Sequence, residues 1–229
     1  MCGRYSLAIG LDDLDERFAL KGSGLIQRPR FNIAPTQEVL TVVNDGSENQ
    51  CQSMKWGLIP HWSKHPSIGN RMINARAETV MEKPSFRQAF QSRRCMVVAD
   101  GFYEWRKHGR VKIPMRITLK TGELFGFAGL WELWDSPNGE QIYSCSIITT
   151  TPNATMESIH SRMPVILSKD AEDRWLDVGL SDTDELRDLM IPYPDNEIEA
   201  YEVSSLVNSP KNDMSDVLSR VDYSEPRLL

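Results

Sequence analysis

Leu11, Leu14 and Phe18 recur at helical spacing behind Asp12 and Asp13, acids that suit a helix N-terminus. The pattern predicts a short amphipathic helix over 12–20, ended by Gly22 and Gly24. Downstream the period shortens. Stretches 39–43, 51–58, 95–99, 102–106, 111–119, 124–134 and 142–149 are rich in β-branched and aromatic residues. His108-Gly109, Thr121-Gly122 and Asn138-Gly139 mark turns between neighbours, which predicts antiparallel sheet. Helical patterns return at 85–91, 168–176 and 181–189, the last two opening on Ser with acids in the first turn. No repeat or linker interrupts the chain. The expectation is one α+β domain over 1–209, mainly antiparallel sheet flanked by short helices. A tail, 210–229, follows, in which Pro210, Pro226 and mixed charge predict a loosely held end.

With 229 residues, 40% of them hydrophobic and 25% charged, the chain is long enough for one sizeable core and too apolar to be disordered. Asp12, Asp13, Asp15 and Glu16 rule out an N-terminal apolar signal, and no later run reaches membrane-helix length, so a soluble cytoplasmic protein with no membrane partner is expected. The four cysteines, Cys2, Cys51, Cys95 and Cys145, form no C-x-x-C pair, which predicts reduced thiols and no zinc site. A net charge of −6 excludes a broad phosphate-binding surface. Any nucleic-acid contact must be local, drawn from Arg4, Arg28, Arg30, Arg71, Arg76, Arg93, Arg94 and Arg162.

The start Met1-Cys2-Gly3-Arg4-Tyr5 puts a small residue where methionine removal tolerates one, and the processed chain would carry an amine and a thiol on the same residue. Reference pKa values of about 7.7–8.0 and about 8.5 leave part of each nucleophilic near neutral pH. Such a 1,2-aminothiol condenses with aldehydes: the amine forms a Schiff base and the thiol closes on the imine carbon to give a thiazolidine. The competing reading is a merely small, buried cysteine. Asn74 and Arg76 share one face of an extended segment, where the amide suits orienting a nucleophile or sugar hydroxyl and the guanidinium suits a phosphate. Asn32 and Asn74 suit turn caps equally well. Glu104, among Phe102, Tyr103 and Trp105, is expected to have its pKa raised into the proton-transfer range, unless it is simply ion-paired in the sheet. His160, in a loop entering an apolar run, suits a proton shuttle or a structural role. Trp56 and Trp62 suit base stacking or core packing.

Six blocks run in order: Met1-Cys2-Gly3-Arg4-Tyr5, Phe31-Asn32-Ile33-Ala34-Pro35, Trp56-Gly57-Leu58-Ile59-Pro60, Ile73-Asn74-Ala75-Arg76-Ala77-Glu78-Thr79, Gly101-Phe102-Tyr103-Glu104-Trp105 and Ile159-His160-Ser161-Arg162-Met163-Pro164. Together they closely resemble the SRAP (SOS-response-associated peptidase) family from residue 2 to about residue 207. The resemblance implies a compact α+β fold around a β-barrel-like sheet and a positively charged cleft for single-stranded DNA, with the mature N-terminus at its floor. There an abasic site is trapped as a thiazolidine on Cys2, without cofactor or metal. On this chain Cys2 matches the nucleophile, Asn74 the residue positioning the sugar and Cys2, Glu104 the acid–base group, and His160 the group assisting ring opening and imine chemistry. Arg4, Arg76 and Arg162 match DNA-backbone contacts, and Asn32 joins the DNA-binding set in a supporting role. Trp62 lies near the family's aromatic wedge, although Ser63 follows it where some members carry a second Trp. A monomer is expected, since an end-on DNA cleft needs no second subunit. Two other functions fit the same residues: a cysteine peptidase, acting on Met1-Cys2 or on other proteins, and a noncovalent reader of single-stranded DNA.

Overall fold

In a computed structural model describing residues 2–8, 14–20 and 28–221, the alternating pattern becomes two sheets with short helices between their strands. The chain runs through β1 (Tyr5–Leu7), a single helical turn α1 (Leu14–Arg17), β2 (Arg30–Ile33), β3 (Glu38–Asn44), β4 (Asn49–Trp56) and β5 (Asn74–Arg76). It continues with α2 (Arg87–Ser92), β6 (Arg94–Ala99), β7 (Gly101–His108), β8 (Val111–Leu119), β9 (Phe125–Asp135) and β10 (Gln141–Thr150). Last come α3 (Ala154–Glu157), β11 (Met163–Pro164), α4 (Lys169–Leu176), α5 (Thr183–Asp188) and β12 (Ile198–Glu202). Gly109 and Gly139 close the β7–β8 and β9–β10 hairpins at φ +59° and +83°, where a side chain would be strained. Of the first helix expected, 12–20, only α1 is helical among the described residues; Asp12, Asp13, Gly22 and Gly24 lie outside them. Helix α5 starts one residue later than its Ser181 suggested, because the Asp182 carboxylate takes the N-cap and accepts from the amides of Asp184 and Glu185.

The first sheet has the order β12-β8-β7-β1-β2 and is antiparallel throughout. In the second, β10, β4, β3, β6 and β9 follow one another, and β9 pairs back onto β10, so the five strands close into a barrel without an exposed edge. Two pairings depart from the antiparallel expectation: β10 runs parallel to β4 at Ser144↔Lys55 and to β5 at Ile147↔Asn74. Both join segments far apart in sequence, beyond the reach of any turn signal. Edge-to-face contacts of Tyr5 with Trp56 (5.3 Å) and of Tyr5 and Phe102 with Phe127 (both 6.0 Å) dock the first sheet onto the barrel. Trp56 is therefore a core residue, fully buried.

The segment after Ser209, expected to be loose, is docked as far as Val221. Val217 is fully buried with Tyr103, Val203 and Val207 in a small second core outside the first sheet. Pro226 lies beyond the described residues. Among the described residues no helix is long and apolar enough to cross a membrane.

Candidate active site

The antiparallel pairing of Tyr5 with Phe102 decides where the N-terminus lies. Moving backward from Tyr5 runs alongside moving forward from Phe102: the Tyr103 amide donates to Arg4 O at 2.9 Å, and Cys2-Gly3 falls beside Glu104-Trp105. The barrel supplies the other side. Strand β5 lies in parallel register on β10, with Ala75 turned into the core and Asn74 and Arg76 on the opposite face. Asn74 Nδ2 donates to Cys2 O at 2.8 Å, joining the two sheets. Its Oδ1 is buried and accepts no hydrogen bond, an acceptor still to be satisfied beside the nucleophile.

Cys2 is fully buried, and its thiol is pushed far above the ordinary range, first by desolvation and then by the nearby Glu104 charge. The sequence expectation of a partly ionised thiol does not hold in this environment: Cys2 needs a base. Glu104 is the carboxylate whose charge reaches it. Burial raises its carboxyl from 4.5 to about 7. His160 follows α3, its amide donating to Met156 O, and its Nδ1 lies 3.0 Å from the Arg162 amide, which fixes the ring plane. Burial holds its pKa below the ordinary value, which favours the neutral imidazole at neutral pH.

The residues expected to bind DNA divide into engaged and available. Arg4 Nη1 donates to Asn32 Oδ1 (2.8 Å) and Val207 O (2.5 Å). Asn32 is fully buried, its Nδ2 donating to the carbonyls of Ser209 and Asn212 at 2.9 Å each. Arg162 makes a bidentate pair with Glu78 (2.5 and 2.9 Å) and donates to Thr149 O. Of the wider arginine set, Arg30 pairs with Asp213, Arg93 with Glu132, and Arg94 is buried among backbone carbonyls. Arg76 and Arg71, by contrast, are exposed, and their side chains make no ion pair or hydrogen bond among the described residues. Trp62 is 52% exposed on a turn clamped from below: the buried Glu132 accepts from the His61 amide (3.0 Å), and Trp134 Nε1 donates to Ser63 O (2.7 Å). Sequence reasoning missed Glu78, although it quoted the block containing it. It missed Asp213 as well, for which the sequence holds no local signal.

A cavity of about 690 Å³ lies between α1 and α4 and includes none of these residues. Among the described residues no three His, Cys, Asp or Glu side chains are grouped to hold a metal.

Residues 1–210 match the family described as SOS response associated peptidase (SRAP). Over 224 residues the chain is 50% identical to the abasic site processing protein YoqW of Bacillus subtilis (strain 168), covering 95% of this chain and 99% of that one. It is 32% identical to the abasic site processing protein HMCES of Rattus norvegicus, over 97% of this chain and 76% of that one. A crystal structure of a protein from Bacteroides thetaiotaomicron superposes with a TM-score of 0.87 at 30% identity, covering 96% of this chain and all of that one. In sequence and in fold, this chain belongs to the SRAP family.

Proposed function

We propose that this protein captures abasic sites in single-stranded DNA by forming a covalent thiazolidine on Cys2 once Met1 is removed. The observation that carries the reading is the meeting of Cys2, Asn74 and Glu104 where the two sheets join: Asn74 holds the Cys2 carbonyl at 2.8 Å, and the neighbouring carboxyl is raised to about 7. Relatives named abasic site processing proteins point to the substrate, and the chemistry agrees. A ring-opened abasic deoxyribose is an aldehyde, which a 1,2-aminothiol accepts.

The α-amine of Cys2 adds to the aldehyde carbon, and loss of one water gives the imine. Sγ then bonds to the imine carbon while the thiol proton passes to the imine nitrogen, closing the ring with no further atom lost. Glu104, ionised above about pH 7 and protonated below it, relays protons in the water-loss and ring-closure steps. The neutral imidazole of His160 assists opening of the sugar. Asn74 Oδ1, buried without a hydrogen bond, orients the amine or a sugar hydroxyl. Arg76 and the exposed Trp62 bind the strand, by phosphate contact and base stacking respectively.

The test is denaturing electrophoresis of the mature protein with single-stranded DNA carrying one abasic site. The reading predicts a protein–DNA band that survives detergent and heat, and its replacement in Cys2→Ala by an imine seen only after borohydride trapping. A noncovalent reader gives no such band. A peptidase acting on other proteins cleaves a peptide substrate at a rate unaffected by abasic DNA.

A further inference from the structure

β2 is an edge of the first sheet, and its outward amides need partners. They find them in the segment after Ser209. Asp213 Oδ1 accepts from the amides of Phe31 (2.5 Å) and Asn32 (3.0 Å), while its Oδ2 takes Arg30 Nε at 3.0 Å. One aspartate thus caps the edge and fixes the segment 205–221 across it. The same segment reaches the immediate neighbours of both reacting groups. Through Val207 O it holds Arg4, two residues from Cys2. Through Asn208 Oδ1 it accepts from Trp105 Nε1 at 2.7 Å, one residue from Glu104. Arg4 also lies over the Trp105 ring, 5.8 Å from its centroid, closing a loop of contacts around the two strands that carry Cys2 and Glu104.

We propose that Asp213 and Asn208 are positioning residues, through which the segment 205–221 straps Cys2 and Glu104 into reacting geometry. Asp213 lies beyond residue 210, where the family match ends. The inference rests on the capture chemistry proposed above, but its mechanical part does not. A strap that only stabilises the fold lowers thermal stability and leaves the chemistry of the folded fraction unchanged. A positioning strap also alters the rate and the environment of Glu104.

The experiment uses the full chain with Asp213→Ala, Asp213→Asn and Asn208→Ala. Asp213→Asn keeps one carbonyl oxygen for the two β2 amides, and Asn208→Ala removes an exposed bond, so it folds even if Asp213→Ala does not. At saturating abasic DNA, single-turnover crosslinking by Asp213→Ala falls about tenfold to 10²-fold, as for a reacting group displaced by around an ångström. Affinity for DNA carrying an unreactive tetrahydrofuran in place of the abasic sugar stays the same. The pH midpoint of the rate moves below about 7 as water reaches Glu104. Asp213→Asn restores most of the rate, and Asn208→Ala gives a smaller defect with the same shift of midpoint. Amide hydrogen exchange at 3–5 and 103–105 rises in Asp213→Ala and in Asn208→Ala, a readout that needs no DNA chemistry. Exchange that rises only within 205–221, or rates that fall with an unmoved midpoint, overturn the proposal. Absence of any crosslink in the unmodified protein instead overturns the capture reading and leaves the exchange result standing by itself.

Discussion

The two flanks of Cys2 are built from the same residue types and used in opposite ways. On the strap side, Arg4 Nη1 and Asn32 bond one another and the backbone of 207–212, leaving Arg4 Nε buried without a hydrogen bond, and Asn32 is sealed from solvent. On the barrel side, Asn74 keeps an unsatisfied buried oxygen and Arg76 an exposed guanidinium with no partner among the described residues. Arg162 stands between, half-buried and held by Glu78. An arginine already hydrogen-bonded to neutral carbonyls gains little from a phosphate unless it abandons those bonds, whereas an unpartnered one gains the whole charge-assisted contact. On the capture reading, the barrel side meets the substrate while the strap side braces Arg4, two residues from Cys2. A polar residue's role follows from the partners the fold has already given it.

The largest effect should fall on Glu104. Glu104→Gln is expected to slow crosslinking by about 10²–10⁴-fold in single-turnover assays while leaving DNA affinity unchanged. The same substitution acts oppositely on stability. Because the carboxyl is raised from 4.5 to about 7 in the folded protein, its contribution to stability is fully present below pH 4.5 and lost as pH rises through about 7. Glu104→Gln should match the unmodified protein at pH 4 and exceed it by on the order of 3 kcal/mol at pH 8, as read by denaturant unfolding. Asn32→Ala should break the strap side, destabilising the protein by about 2–4 kcal/mol through unpaired Arg4 and backbone groups, without weakening DNA binding by the folded fraction. Trp62→Ala should remove about 1–3 kcal/mol of single-stranded DNA affinity with little change in melting temperature. Arg76→Ala should be the mildest: the slope of log affinity against log salt drops by about one, and stability stays put. A stability loss in Arg76→Ala, or an affinity loss in Asn32→Ala, would erase the contrast between the two sides.

The long strands were legible because each alternates or runs apolar between turn signals; β8 begins and ends where the pattern placed it, and β3, β4, β9 and β10 differ by a residue or two. The short strands β1, β2 and β12 were not, since three to five residues carry no period and their pairing partners are distant. The site followed the same division. The raised pKa of Glu104 was readable from its aromatic neighbours, whereas the Cys2 thiol was misjudged because its burial is a product of the whole fold. Arg4, Arg76 and Arg162 looked alike in sequence, and what separates them is that Arg4 bonds Val207 O, Arg162 pairs with Glu78, and Arg76 lies exposed with no hydrogen bond to its guanidinium among the described residues. The docked tail was misread for a related reason: Pro210 and mixed charge describe the local chain, while Asp213 acts on β2 from the far end of the sequence.

Mass spectrometry of the nuclease-trimmed, protease-digested adduct joins the chemistry to the geometry in one observation. The account predicts a peptide beginning at Cys2 whose mass is the sum of peptide and sugar fragment less one water, unchanged by prior borohydride because the thiazolidine holds no reducible imine. An adduct on any other residue, one that gains two hydrogens on borohydride treatment of the unmodified protein, or an adduct peptide still carrying Met1 would contradict it.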